Sequence, residues 1–248
     1  MSEFENRREG LIFGAFVAEA VSLGVHWIYD PAEILKKYGR VTDYQAPGAS
    51  SYHPRKQAGD QGHVGDQALV LGDFLVRERK WDRGGFMTDW LAIWPTYDDY
   101  VDRATKTVLG NVENGADPTN AASDSDELAG PARSVPLITF LAGATEDEVV
   151  QACIEHSNLT HASAEAEEAT TFLGKAGYRL IRGAPLADVI RETAPAWAIE
   201  AADKVQSLPA FDAIGRLGQS CSISAALQAV NYLALRYSNN CEEAFIEN

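Results

Sequence analysis

The chain has 248 residues, 46 % hydrophobic and 23 % charged, enough to bury one substantial core within a single domain spanning 1–248. Thirty-six acidic against 21 basic residues give a formal net charge of -15, which repels phosphate backbones and argues against general nucleic-acid binding. No stretch approaches the roughly 18 to 20 apolar residues of a bilayer span, and MSEFENRREG does not read as a signal peptide. Cys153, Cys221 and Cys241 form no metal-like spacing, which fits a reduced cytoplasmic protein with no membrane association.

Helical periodicity then runs along the chain. LIFGAFVAEAVSLGVHW (11–27) spaces Phe13, Phe16, Val17, Ala20, Val21 and Gly24 three and four apart, with Glu19 interrupting the apolar character. PAEILKKYG opens on a proline and stops at Gly39, the asymmetry of a short helix. A long polar loop, 40–63, follows; in a helical fold such a loop is functional or mobile. Residues 67–79 put Leu71, Phe74 and Leu75 on one face. DDYVDRATKTVLGNV repeats the pattern through Val101, Ala104, Thr105 and Val108, behind Asp98, Asp99 and Asp102, whose charges suit a helix start. A second polar loop, 111–130, reads NVENGADPTNAASDSDELAG. Thr145 and Glu148 form a capping box before VVQACIEHS, and Ser163 caps AEAEEATTFLGKAGYRLI. PLADVIRETA and CSISAALQAVNYLALRY are two further helices. Strand alternation is scarce, so the expected class is all-α, a compact bundle of eight or more helices.

Polar groups concentrate in AGDQGHVGDQ, which holds Asp60, His63, Asp66 and Gln67. Helix capping accounts for Asp66 but not for the concentration. In SDSDELAGPARSVPL, Asp124 and Asp126 alternate, a pattern that suits a hard cation, and Arg133 can fork onto a phosphate or form an ordinary ion pair. His161 stands in the junction NLTHASAEA, and Glu19 and His26 lie on or just beyond the first helix. No Gly-x-Ser-x-Gly elbow, Walker loop, dinucleotide fingerprint or His-Glu-x-x-His occurs. Carboxylates on helix starts and loops favour a magnesium-type site over zinc, flavin or nicotinamide chemistry.

GAFVAEAVSLGVHWIYDP resembles the opening helix of the ADP-ribosylglycohydrolase family, in a branch with GVHWIYD after that helix. HPRKQAGDQGHVGDQALVL falls where that family has Thr-Asp-Asp-Thr, and SDSDELAGPARSVPLI where a segment ending Ala-Pro-Leu is usual. NLTHASAEAEEA is similar to its Thr-His-x-x-x-x-Ala junction, and the order is kept along nearly the whole chain. The resemblance implies a hydrolase cleaving the glycosidic bond between ADP-ribose and a side chain or small molecule. It also implies two magnesium ions that orient ribose hydroxyls and an attacking water. Asp66 matches the motif's second Asp and is the one implied magnesium ligand; Val64, Gly65 and Gln67 replace Thr, Asp and Thr, and Glu19 replaces an Asp. The family's C-terminal Gly-Gly-Asp-x-Asp does not occur before Asn248, so a C-terminal segment is expected to be missing, and these departures count against a dinuclear centre.

The implied catalytic set is Asp66, Glu19 and Asp60, with Gln67, His63, Asp124, Asp126, Arg133 and His161 around a small-molecule or ADP-ribosylated substrate. The alternative is a catalytically silent, metal-free relative that binds a nucleotide, a ribosyl ligand or a protein partner. A plain helical interaction module would leave the polar loops unexplained.

Overall fold

Fourteen α-helices, two 3-10 turns and no strand make up the computed structural model, which describes residues 1–248. Helix α1 (Glu3–Leu23) starts well before the apolar run, because Ser2 accepts the Glu5 N–H and Glu3 and Glu5 occupy the favourable first turn. It buries Ala20 and Leu23 and lays Phe4 and Leu11 on the core. Phe13 and Val17, expected inside, are 65 % and 41 % exposed. The run to residue 27 breaks at Leu23 into a turn. Asp30 caps α2 (Pro31–Tyr38), and Gly39 closes it at φ 71°.

Helix α3 (His63–Glu78) begins directly after Gly62, earlier than its apolar face suggests. It is followed by α4 (Arg83–Ile93), which the sequence pattern does not reveal: Gly84 and Gly85 dilute the first turn, yet Asp82 caps it and Phe86, Met87 and Trp90 are buried. Asp102 caps α5 (Arg103–Glu113), its Oδ1 accepting the Thr105 N–H at 2.6 Å, so Asp98 and Asp99 stand outside the helix. Two short helices, α6 (Ala129–Ala132) and α7 (Val135–Phe140), precede α8 (Glu146–Ser157) with the expected Thr145–Glu148 box. Ser163 caps α9 (Ala164–Ile181), whose small residues Ala166, Ala169, Gly174 and Gly177 admit close neighbours. The chain closes with α10 (Leu186–Thr193), α11 (Ala196–Val205), α12 (Ala210–Leu217), α13 (Ile223–Arg236) and α14 (Cys241–Glu247).

The largest core gathers Leu71, Phe74, Phe86, Trp90, Val108, Leu137 and Val149 from α3, α4, α5, α7 and α8. A second holds Phe172, Val189, Ala198 and Leu227, and a third joins α11, α12 and α13 through Ala202, Ala213 and Tyr232. No helix is long and apolar enough to cross a membrane. The C-terminal end of α1 and the starts of α3, α5 and α13 meet the 127–132 segment at one end of the bundle, and a cleft lies there.

Candidate active site

The cleft has a volume of about 250 Å³ and is lined by three carboxyl groups, Glu19, Asp102 and Glu127, with two histidines, His26 and His63, and the aromatic rings of Trp27 and Tyr100. A larger depression of about 400 Å³ beside α9 is more open, and Glu167 and Glu168 are its only ionisable groups. Acid–base chemistry needs convergent groups in unlike environments, so the smaller cleft is the candidate site.

Glu19 projects from α1 onto the first turn of α3, where its Oε1 accepts the Gly65 N–H at 3.4 Å. A Cβ at residue 62 would lie 2.8 Å from that oxygen, and one at residue 65 would lie 2.9 Å from Glu19 Cγ. Residue 62 is glycine because that carboxylate occupies the space a side chain would need, and residue 65 because Gln61 and the Glu19 stem fill it together. Burial raises the Glu19 pKa above the usual carboxylate range, although the Gly65 N–H opposes it. Asp102 is shifted the other way. Burial opposes its ionisation, but the Arg133 charge, the Thr105 N–H and His63 together hold its pKa low.

His26 stacks on Trp27 with centroids 4.0 Å apart, and Trp27 has φ 62°, an unusual left-handed conformation for a bulky residue. His26 Nδ1 lies 3.2 Å from His53 Nε2, and His53 Nδ1 lies 2.7 Å from Asp99 Oδ2. His63 Nε2 is 3.7 Å from Asp102 Oδ2, and its Nδ1 has no partner. Burial pushes His26 down to about 4 and His63 to about 3, so both are neutral near pH 7.

The residues singled out from sequence divide three ways. Glu19 and His63 line the cleft. Gln67, Arg133 and His161 are buried beneath it: Gln67 Oε1 accepts from Trp90 Nε1 at 2.8 Å and from the Arg133 guanidinium, which also donates to Thr160 Oγ1 at 3.0 Å and the Ala129 carbonyl at 3.1 Å. His161 Nδ1 lies 3.2 Å from the same guanidinium. Arg133 is 2 % exposed and four of its five N–H donors are engaged inside the protein, so neither the phosphate fork nor an ordinary surface ion pair describes it. Asp60, Asp124 and Asp126 are exposed, Asp60 capping a turn through the Gln57 N–H at 2.7 Å; Glu127, next to the Asp-Ser-Asp pair, reaches the cleft instead. Sequence reasoning missed Glu127, His53 and Trp27, and took Asp99 and Asp102 only as charges suited to a helix start. The run Asp-Ser-Asp-Glu signalled the first, and His53 was visible only as a histidine between two others, His26 and His63, in a chain with five.

The sequence model of the ADP-ribosylglycohydrolase family matches residues 1–248, the whole chain. The chain belongs to that family. A solved structure described as an ADP-ribosylglycohydrolase-related protein complex has a similar fold, with TM-score 0.72 and 21 % identity over 100 % of this chain and 81 % of the other. No curated protein sequence matches. In this chain Asp66 does not line the cleft; its Oδ2 accepts from Lys56 Nζ at 2.6 Å and from the Tyr97 hydroxyl at 2.8 Å. Nor does the chain gather three or more His, Cys, Asp or Glu side chains in a metal-binding group.

Proposed function

We propose that this protein hydrolyses a glycosidic bond at the anomeric carbon of a ribosyl group, ADP-ribosyl in kind, between two carboxyl groups in unlike environments. One observation carries the reading: Glu19 and Asp102 line a single cleft while their environments push their pKa values apart. Glu19, the carboxyl whose pKa is raised, donates a proton to the departing oxygen or nitrogen. The ionised Asp102, with Glu127 on the same cleft, stabilises the positive charge that develops on the sugar. Trp27 and Tyr100 offer flat apolar faces to the sugar or its leaving group.

At about 250 Å³ the cleft falls below the roughly 300–1,000 Å³ of a pocket for a drug-sized ligand, so it takes the sugar end and leaves the diphosphate at the rim. Lys106, with Nζ 5.7 Å from the Tyr100 ring centre, is the exposed cation placed to meet it. We take the donor set not to fit magnesium, which needs about six oxygen ligands. The Asp66 carboxylate already holds an ammonium and a phenol, and the carboxylates that would complete an oxygen cage are not beside it. The reaction is therefore written through side chains alone.

The test is release of ADP-ribose from an ADP-ribosylated peptide, with and without EDTA. Glu19→Gln, which keeps the shape but not the acid, lowers kcat about 10²–10⁴-fold, the usual worth of a general acid. EDTA leaves the rate unchanged, and the rate falls as pH rises through the Glu19 pKa. Full activity in Glu19→Gln would reject the assignment. The silent-relative reading draws on the sequestration of Arg133 and Asp66; calorimetric binding of ADP-ribose with no turnover of any ADP-ribosylated peptide would favour it.

A further inference from the structure

We propose that Asp99, His53 and His26 form a proton relay that presents the unprotonated Nε2 of His26 to the cleft, as general base for the attacking water. The proposal rests on the cleft being the reaction site. Its basis is a sequence of hydrogen bonds that leaves one consistent assignment of protons for neutral imidazoles.

Asp99 is buried, its side chain 2 % exposed, and its Oδ1 has no protein partner. An ionised carboxylate can only accept, so at 2.7 Å the proton between Asp99 Oδ2 and His53 Nδ1 belongs to the imidazole. With that single ring proton, His53 carries a lone pair on Nε2. That lone pair faces His26 Nδ1 at 3.2 Å, which must donate. The remaining nitrogen of His26, Nε2, is thereby left as an acceptor, and His26 lines the cleft beside Glu19. Trp27, stacked on the imidazole and held at φ 62°, fixes the ring in place; strain of this kind persists where the surrounding contacts over-determine a residue.

The step balances as follows. Water gives a proton to His26 Nε2 and its oxygen bonds to the anomeric carbon. The Nδ1 proton of His26 passes to His53 Nε2, and the imidazolium so formed is paired with the Asp99 carboxylate. The glycosidic bond breaks with its electron pair on the leaving group, which takes the Glu19 proton. After product leaves, the excess proton returns to Glu19 through solvent. His26 touches the water and is a catalytic residue; His53 and Asp99 act through it and are positioning residues.

The experiment uses the full chain labelled with nitrogen-15 histidine. Ring-nitrogen correlations are assigned from the signals lost in His26→Gln and His53→Gln, alongside ADP-ribose release from an ADP-ribosylated peptide. The expected wild-type result at neutral pH is a proton on Nδ1 and none on Nε2 in both His26 and His53. Asp99→Asn, which removes the charge that orients His53, shifts His26 toward the opposite tautomer and lowers kcat about 10²–10⁴-fold with KM changed only a few-fold. His26→Gln shows the same fall. A wild-type His26 protonated on Nε2, or a His53 protonated on both nitrogens, overturns the relay. An active wild type whose rate survives in His26→Gln overturns the base role while the proposed function stands. A wild type that hydrolyses no ADP-ribosyl bond overturns the proposed function and the base role together.

Discussion

The carboxamide oxygen of Gln67 accepts from Trp90 Nε1 and from the Arg133 guanidinium, while its amide donates to the His63 carbonyl at 3.0 Å. One uncharged side chain thus ties α3 to α4 and to the segment after α6, directly under the cleft. Gln67→Leu strips the acceptor from two buried donors, one of them charged, at about 2–4 kcal/mol. Urea unfolding should show the midpoint drop at constant m. Gln67→Glu, which keeps the acceptor, should lose less. Cys221 gives a second expectation at this scale. Burial and the neighbouring Glu127, which accepts from Sγ at 3.4 Å, push its thiol up to about 11. Alkylation of Cys221 at pH 7 should be slow for an exposed thiol, and Glu127→Gln should accelerate it. Sequence marked Gln67 and Arg133 as unusual polar residues but could not show that they face each other. Nothing local links residues 67 and 133, and both read more readily as ligand-binding groups than as each other's partners.

Helices were legible where a cap and an apolar stripe coincide. Thr145 with Glu148, Ser163, and the Pro31 to Gly39 unit fall where their side-chain chemistry puts them. Helices whose start lacks such a signal were not. Those after Pro195 and Pro209 have no side-chain cap bond, and α4 carries two glycines in its first turn. The start of α3 is the most informative element boundary, because Gly62 is dictated by Glu19 on α1, and Gly65 by Gln61 and Glu19 together, rather than by helix propensity. Gly65→Asp drives a side chain into Gln61 and Glu19 Cγ. Overpacking of this kind costs about 1–3 kcal/mol, measurable as a fall in melting temperature. A variant as stable as the wild type would mean that α1 and α3 move apart freely.

Over the whole molecule, four of the five histidines have lowered pKa values: His26 at about 4, and His63, His156 and His161 at about 3. Burial is the main cause in each, and the nearby Arg133 charge adds to it at the last three. The unfolded chain protonates these rings near pH 6.5 and the folded chain does so only near 3 or 4. Their contribution to stability is therefore complete above about pH 7 and is lost as pH falls through 6 toward 4. The slope is about 1.4 kcal/mol per pH unit for each ring that the unfolded state alone protonates. Glu19, with its raised pKa, opposes the trend as a single group. Denaturant midpoints between pH 7 and 4.5 should fall steeply; a flat profile would show that these imidazoles reach water. The all-helical class was readable from apolar periodicity because it is a property of each segment alone. The site was less so, since His26, His53 and Asp99 come together only when the 40–62 loop folds back over the end of α1.

The contact between Glu19 and Gly62 also constrains how such a sequence can change over generations. A longer acid on one helix and an absent side chain on the other fill the same space, so each tolerates replacement only in company with the other. Glu19→Asp and Gly62→Ala introduced together should be less harmful than their separate effects add up to, with a coupling of about 0.5–3 kcal/mol in a double-mutant cycle. Lineages passing between the two arrangements would have to shorten residue 19 first, because the reverse order leads through a clash.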